Sequence, residues 1–483
     1  MNKFLILLSP LLVVFASSCK KSVTADSSPA TGTTTTVSAS NLLKDSLYLY
    51  TKEIYLWQEV IPGYDVFNPR QYTGATDLDA ATAEMNAIKA LQPLDRFSFV
   101  TTKAKSTALS TGAAVDYGFF IKGASVDKVQ PYDSVHWYVE YVFDKSTAGT
   151  AGVTRGWYIN KINNTDLTYT QAGADLLNSI FFGTTNSATF EFVKPDGSTA
   201  TFDLSKTSFT SNSVLYKNVI TTGSKKVGYF VFKQFFGAPS ITELNDVFSY
   251  FNAAGISELV VDLRYNPGGS TATQDVLANL IAPSSANNRV MYKYIFNTSL
   301  QNGNFPLLQK KTGYGSTSFS QDNNTQKFST TGSLNLSRVF FIVTGGTASA
   351  SELLINNLKP YMDVKLIGDT TYGKPVGFFP VDIYDYSIYP ISFKTVNSVG
   401  NADYYTGFFP DKIAPDGVNK NWDDITEPCL ASALKYINTN SFRSTTSNEQ
   451  QYRVQLDAQG QLKPVNRQLE KNNFTGMFIE RKK

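Results

Sequence analysis

Histidine is almost missing from this chain: His136 is the only one in 483 residues. That excludes any site built from several imidazoles, and a Ser-His-Asp triad would have to use His136. His136 lies in Val135-His136-Trp137-Tyr138-Val139, an alternating run that reads as a strand with the histidine on its surface or half buried. Cysteine is nearly as rare, with Cys19 and Cys429 alone, so no disulfide framework is expected. Charged residues are 17%, the net charge is +3, and no dense basic block occurs, so no nucleic-acid partner is expected. Beyond residue 15 no run approaches the ~20 apolar residues of a membrane-spanning helix. What is present is apolar and aromatic: 42% hydrophobic residues, with 27 Tyr and 34 Phe. This composition predicts a β-rich chain with large buried cores. The length suits about two to four domains.

The one long apolar run is Phe4 to Phe15, after a short charged start at Met1-Asn2-Lys3. Small residues follow in Ala16-Ser17-Ser18-Cys19. This segment resembles a bacterial lipoprotein signal, although leucine is more usual where Ala16 stands. The resemblance implies a signal peptide over 1–18, with Cys19 lipidated at the new N-terminus. The other reading is an ordinary secretory signal with an incidental cysteine. Residues 19–40 are rich in Ser, Thr and Ala and read as a flexible tether. The expected location is the cell envelope: a body outside the cytoplasm, lipid-anchored to a bacterial membrane, with the outer membrane as the expected one.

Residues 41–108 are mainly helical in pattern. Asp77 to Leu91 places Leu78, Ala81, Met85, Ile88 and Leu91 at helical spacing, and no catalytic constellation is apparent in this segment. Residues 109–209 turn to short strands, with a helix from Thr170 to Ser179 and a hairpin at Pro195-Asp196-Gly197. Residues 210–440 alternate strands and helices. Glu258 to Arg264 is continuously apolar at its centre, as a buried parallel strand would be. Residues 289–331 read as an irregular exposed insertion near the site. The tail, 441–483, is polar with a final patch from Phe474 to Ile479. The expected class is therefore α/β, or α+β across several domains.

The chemistry centres on Thr347-Ala348-Ser349-Ala350-Ser351-Glu352. A strand, Arg338 to Thr344, leads through Gly345-Gly346 into a helix that begins near Ser351 and stops at Pro360. Ser349 is thus expected on a strand-to-helix turn, where backbone N–H groups are free. Its hydroxyl is a candidate nucleophile, and the Ala350 amide a candidate oxyanion donor. A second loop, Asn266-Pro267-Gly268-Gly269, follows another core strand, and Gly268 or Gly269 is a candidate second donor. With the one histidine in a different segment, the base must be something else. A buried lysine can be neutral and take a proton. Lys374, in Tyr372-Gly373-Lys374, lies suitably, although a surface lysine is the commoner fate.

These residues resemble the tail-specific, or C-terminal processing, serine peptidases. The matching pieces run in order: a helical N-terminal part, Val261-Asp262-Leu263-Arg264-Tyr265-Asn266-Pro267-Gly268-Gly269, Thr347 to Glu352, and Gly368-Asp369-Thr370-Thr371-Tyr372-Gly373-Lys374. The resemblance implies a Ser349–Lys374 dyad with Gly268, Gly269 and Ala350 around the oxyanion. It also implies a core of the ClpP/crotonase type, polypeptide substrates and no cofactor or metal. Residues 109–209 resemble a PDZ domain, with Tyr117-Gly118-Phe119-Phe120 as the loop that would hold a peptide's terminal carboxylate. A generic β-domain packed on its neighbour is the other reading. One departure stands out: many members of the family carry glutamine four residues after the lysine, where this chain has Phe378. A rival reading assembles Ser125-Val126-Asp127-Lys128, Ser285-Ala286-Asn287 and Lys311-Thr312-Gly313 in the order of penicillin-binding proteins. That chemistry wants its serine at a buried helix start, and Ser125 falls in a strand region. The alternative from another class is a catalytically weak or inactive peptide-binding lipoprotein, which Phe378 favours.

Overall fold

A computed structural model of the chain describes residues 38–125, 135–332, 334–443 and 476–479. The expected signal peptide, Cys19 and most of the tether lie outside the described residues. So does most of the tail.

The centre is a six-stranded sheet. Its strands run in the order Val214–Thr222, Lys225–Phe232, Glu258–Asp262, Arg338–Val343, Asp363–Gly368 and Lys412–Ile413. The first pair is antiparallel and every later pair is parallel. Such a sheet is covered on both faces, which is why its strands read as unbroken apolar runs. Side-chain alternation divides them cleanly. Phe230, Phe232, Leu259, Val261, Val339 and Phe341 pack on one face with Leu244, Leu277 and Leu353 from the helices Gly237–Ala254, Thr271–Ile281 and Ala350–Leu358. Tyr229, Val231, Val260, Phe340 and Ile342 pack on the other with Leu430 and Ala433 of the helix Pro428–Thr439.

The N-terminal helices do not keep a core of their own. Leu43, Leu47 and Ile54 of Ala39–Ile54, and Met85 and Ile88 of Asp77–Ala90, join the same cluster as the sheet's first face. The strand Phe99–Thr102 then pairs with Tyr386–Tyr389, far along the chain. The apolar stripes seen in the sequence are real, but their partner is the central unit and not each other alone.

Residues 289–331, expected as an irregular exposed insertion, stay exposed over 309–313 and 315–317 yet anchor apolar side chains in the core. Val290–Phe296 pairs with Phe393–Asn397, and Tyr292, Phe305, Leu308, Phe319 and Phe328 are buried. Their apolar side chains are spaced too irregularly to register as one element, yet they converge from several short ones.

Between 113 and 210 the chain forms an antiparallel sheet, Phe119–Ser125, Val135–Val142, Tyr158–Ile162, Ser187–Val193 and Thr199–Ser205. The helix Gln171–Phe182 covers it, and Ile121, Val139, Leu177, Phe190 and Phe192 make its separate apolar cluster. His136 lies on this sheet and stacks on Tyr158, with ring centroids 4.1 Å apart. Ser125 ends a strand rather than starting a helix. Cys429 is a buried free thiol.

Charged side chains tie this antiparallel sheet to the central one. Asp416, in a loop after the last core strand, accepts from Arg155 at 2.7 Å, Arg264 at 2.8 Å and Lys122 at 3.1 Å. Arg264 is fully buried and also pairs with Asp262 and Glu427. The surrounding cations hold Asp416 well below the ordinary carboxylate range despite burial, which by itself would raise it.

Candidate active site

Three loops at the carboxyl ends of neighbouring parallel strands meet at one place, where α/β sheets bind ligands. They follow Glu258–Asp262, Arg338–Val343 and Asp363–Gly368. Asn266 fastens the first two. Its side-chain amide donates to Phe232 O at 2.8 Å, and its own carbonyl accepts from Ala348 N at 3.0 Å and Ser351 Oγ at 3.1 Å. Thr347 Oγ1 adds a bond to Leu263 O at 2.7 Å.

Ser349 stands just ahead of the helix Ala350–Leu358, with φ 60° and ψ −110°. A non-glycine residue there stores strain of about 1–3 kcal/mol, a cost met at sites where the side chain must be aimed. Its hydroxyl is buried and has no hydrogen-bond partner among the described residues. Gly268 packs directly against it. A Cβ at Gly268 would lie 2.8 Å from Ser349 Cβ and 2.9 Å from Ala350 N, so only glycine fits so close an approach. The two glycines differ in their amides. Gly268 N–H donates to Asn266 Oδ1 at 2.9 Å. Phe235 bonds to Gly268 O and Ser270 N, so alternation along this short strand turns the Gly269 N–H to the opposite side.

Lys374 is fully buried. Its Nζ lies 4.3 Å from the centroid of the Phe378 ring and 4.8 Å from that of Phe97. Loss of solvent lowers its pKa to about 7, against smaller raising effects of the Asp95 and Glu352 carboxylates. The residue that broke the family pattern is therefore one wall of the apolar box that keeps this amine near neutrality.

Glu352 joins Ser349 to Lys374. Its Oε2 accepts from Ser349 N at 2.9 Å and Lys374 N at 2.8 Å; its Oε1 accepts from Gly373 N at 2.7 Å and Thr371 Oγ1 at 2.6 Å. Four donors and a buried position make this carboxylate the junction of the two loops. A glutamine would turn an NH2 toward two donors whichever way it was placed. Glu352→Gln is expected to cost about 2–4 kcal/mol of stability, read as a lower melting temperature. An unchanged melt would mean that the junction is not needed.

Sequence reasoning missed a third contribution to this site. The segment 95–98, which shows no catalytic constellation of its own in the sequence, lies against Lys374. Arg96 donates to Gly373 O at 3.2 Å, and Phe97 covers the amine. Asp95 is held by Phe97 N and Ser98 N, both at 2.9 Å, by Ser98 Oγ and by Tyr55 OH. Nothing in local periodicity marks such a contact, because its partner is some 280 residues away.

The loop Tyr117–Phe120 is elsewhere, at the edge of the antiparallel sheet. Gly118 has φ 81°, and its N–H donates to Asp116 Oδ1. Phe119 and Phe120 line a cavity of about 270 Å³ with Phe181, Phe182 and Lys233. Burial lowers the Lys233 pKa to about 8, against a raising effect of Glu140. Among the described residues no group of His, Cys, Asp and Glu is placed to hold a metal ion.

Residues 226–416 match the sequence pattern of peptidase family S41. The chain is similar in structure to a candidate S41 protease of Bacteroides fragilis NCTC 9343, with 21% identity and a TM-score of 0.62, over 83% of this chain and 97% of that one. It also aligns with a photosystem II D1 C-terminal processing protease, at 16% identity and a TM-score of 0.46, over 82% and 97% of the two chains. Mature CPAF complexed with lactacystin aligns at 12% identity and a TM-score of 0.46, over 83% and 98%. No curated protein sequence matches the chain.

Proposed function

We propose, for a chain whose residues 226–416 belong to peptidase family S41 and make it a serine-type peptidase, that Ser349 and Lys374 form its catalytic dyad. The observation that carries this reading is the buried Lys374, brought close to neutrality and tied through Glu352 to the backbone of Ser349. Neutral Lys374 takes the proton of Ser349 Oγ, and the alkoxide attacks a peptide carbonyl. The amides of Ala350 and Gly269 stabilise the tetrahedral oxyanion. Gly268 serves by its small size, since its own amide is held by Asn266. Lys374 then protonates the leaving amine, and water releases the acyl group.

The substrates in this reading are unfolded or C-terminally tagged polypeptides, met outside the cytoplasm by a body anchored through lipid on Cys19. The sheet around Tyr117–Phe120 acts as a PDZ-like reader of substrate C-termini. The cavity beside Phe119 and Phe120 suits an apolar terminal side chain, and Lys233 within it supplies a charge opposite to a carboxylate. The competing reading, a weak or inactive peptide-binding lipoprotein, takes its support from Phe378, which accepts no hydrogen bond from the amine as a glutamine oxygen would. The depressed pKa of Lys374 speaks against it.

The test is the pH dependence of kcat/KM on an unfolded protein substrate. The active form carries a neutral lysine, so the rate rises with pH through a limb near 7. Asp95 stabilises the protonated amine, so Asp95→Asn moves that limb to lower pH. The asparagine is tolerated because Tyr55 and Ser98 present hydroxyls that can turn to accept. A profile flat across pH 6–8, or a limb that Asp95→Asn moves upward, would refute Lys374 as the base.

A further inference from the structure

The glycine strand beside Ser349 has a partner from the far end of the numbering. Gly268–Ser270 pairs in parallel with Gly476–Phe478, Gly268 opposite Gly476 and Ser270 opposite Phe478. On its other side the segment is bonded to Phe378, whose N–H donates to Met477 O at 3.0 Å and whose carbonyl accepts from Ile479 N at 3.2 Å. Thr271 Oγ1 reaches Phe478 O at 3.4 Å. Met477 is fully buried and Phe478 nearly so.

The two flanking backbones belong to the two halves of the site. One carries Gly268, packed on Ser349; the other carries Phe378, packed on Lys374. An extended strand between them occupies the lane a scissile polypeptide would need. It also meets the Gly269 N–H, which faces this strand and not Phe235. We infer that residues 476–479 are an intramolecular peptide ligand of the substrate groove, an apolar extended segment that competes with substrate and withholds the Gly269 amide from an oxyanion.

The inference rests on the dyad reading for its consequence, but the groove itself rests on geometry alone. Backbone bonds on both edges give affinity to any extended chain, and the buried sites of Met477 and Phe478 select apolar side chains. A covalently attached ligand acts at an effective concentration of about millimolar, so micromolar intrinsic affinity is enough to fill the groove.

The experiment compares the full chain with one ending at Arg443, and with the full-length variant Met477→Asp, whose buried charge expels the segment. Rates are measured on an unfolded protein substrate. Binding of a labelled synthetic peptide, Phe474 to Ile479, is measured by fluorescence anisotropy on each chain carrying Ser349→Ala. The shortened chain and Met477→Asp are expected to show kcat/KM about tenfold higher or more. The peptide binds the shortened chain, inhibits it competitively, and does not bind the full chain. A well-folded shortened chain that ignores the peptide overturns the inference, as does an unchanged kcat/KM. A shortened chain that loses its cooperative melt makes 476–479 a structural strand, which also overturns it. If the peptide binds but no chain hydrolyses substrate, the groove assignment stands and the dyad reading falls.

Discussion

Ser349→Ala abolishes hydrolysis, lowering kcat/KM by at least about 10⁴-fold, and leaves the chain folded. The two halves of this result come from the same atom. In the dyad, Oγ is the only group that forms the covalent bond, so the remaining oxyanion donors and groove retain only the small residual rate that binding and electrostatics supply. Structurally, the hydroxyl has no hydrogen-bond partner among the described residues. Removing it therefore breaks no bond and relieves a buried polar atom of its desolvation cost. Alanine keeps the backbone strain at φ 60° unchanged, so the melting temperature stays level or rises slightly. The check is paired: hydrolysis of an unfolded protein, and a thermal melt of the same preparation. Cleavage by the alanine variant at the parental rate would remove Ser349 from the mechanism.

Lys374→Met separates activity from stability in opposite directions. Activity falls on the order of 10⁴-fold, because no other described group touching the site is a base near neutrality. Stability increases. The folded chain lowers this lysine from its ordinary 10.5 to about 7, so it binds that proton less tightly than the unfolded chain does. The resulting cost is roughly 4–5 kcal/mol. It is present in full below pH 7, shrinks as pH rises, and vanishes above the unfolded value. Methionine fills similar volume without charge. It forgoes the two ring contacts, each worth about 1–2 kcal/mol when desolvated. At the middle of these ranges a net gain of about 1–2 kcal/mol at pH 7 remains, and it disappears by about pH 10.5. Melts of both chains at pH 7 and pH 10.5 measure it. A methionine variant that melts lower at pH 7 would show that the amine is charged and well paired where it stands.

How much of this was readable beforehand follows from the physics of each part. The parallel strands were legible because burial on both faces leaves an uninterrupted apolar signature, as in Leu259-Val260-Val261. Ser349 was legible as a turn ahead of a helix, since glycines and a polar cap mark such places locally. Its positive φ was not, because serine carries no sign of it. Gly268 and Gly269 stand out as a pair, yet which amide turns toward the groove depends on Asn266 Oδ1 and on Phe235, neither of which the local pattern announces. Glu352 was read as part of a motif and not as a junction, since three of its four donors come from residues 371 to 374. In sequence Phe378 marks only a missing hydrogen bond, because the place of its ring over the amine is set by the tertiary fold. Residues 95–98 and 476–479 were invisible as site components, because long-range docking leaves no periodicity in either partner.

The contact between Arg96 and Gly373 spans 277 positions of the chain, and that distance sets a timetable. Closing so large a loop is slow and is favourable only once the intervening sheet exists to hold its ends. Until then Lys374 sits in water as an ordinary ammonium, unable to take a proton from anything. A chain still folding, or one partly unfolded, therefore carries Ser349 and Lys374 but, in the proposed dyad, no working base. Under the proposed mechanism the hydrolytic power of this protein is thus a property that only the finished fold possesses.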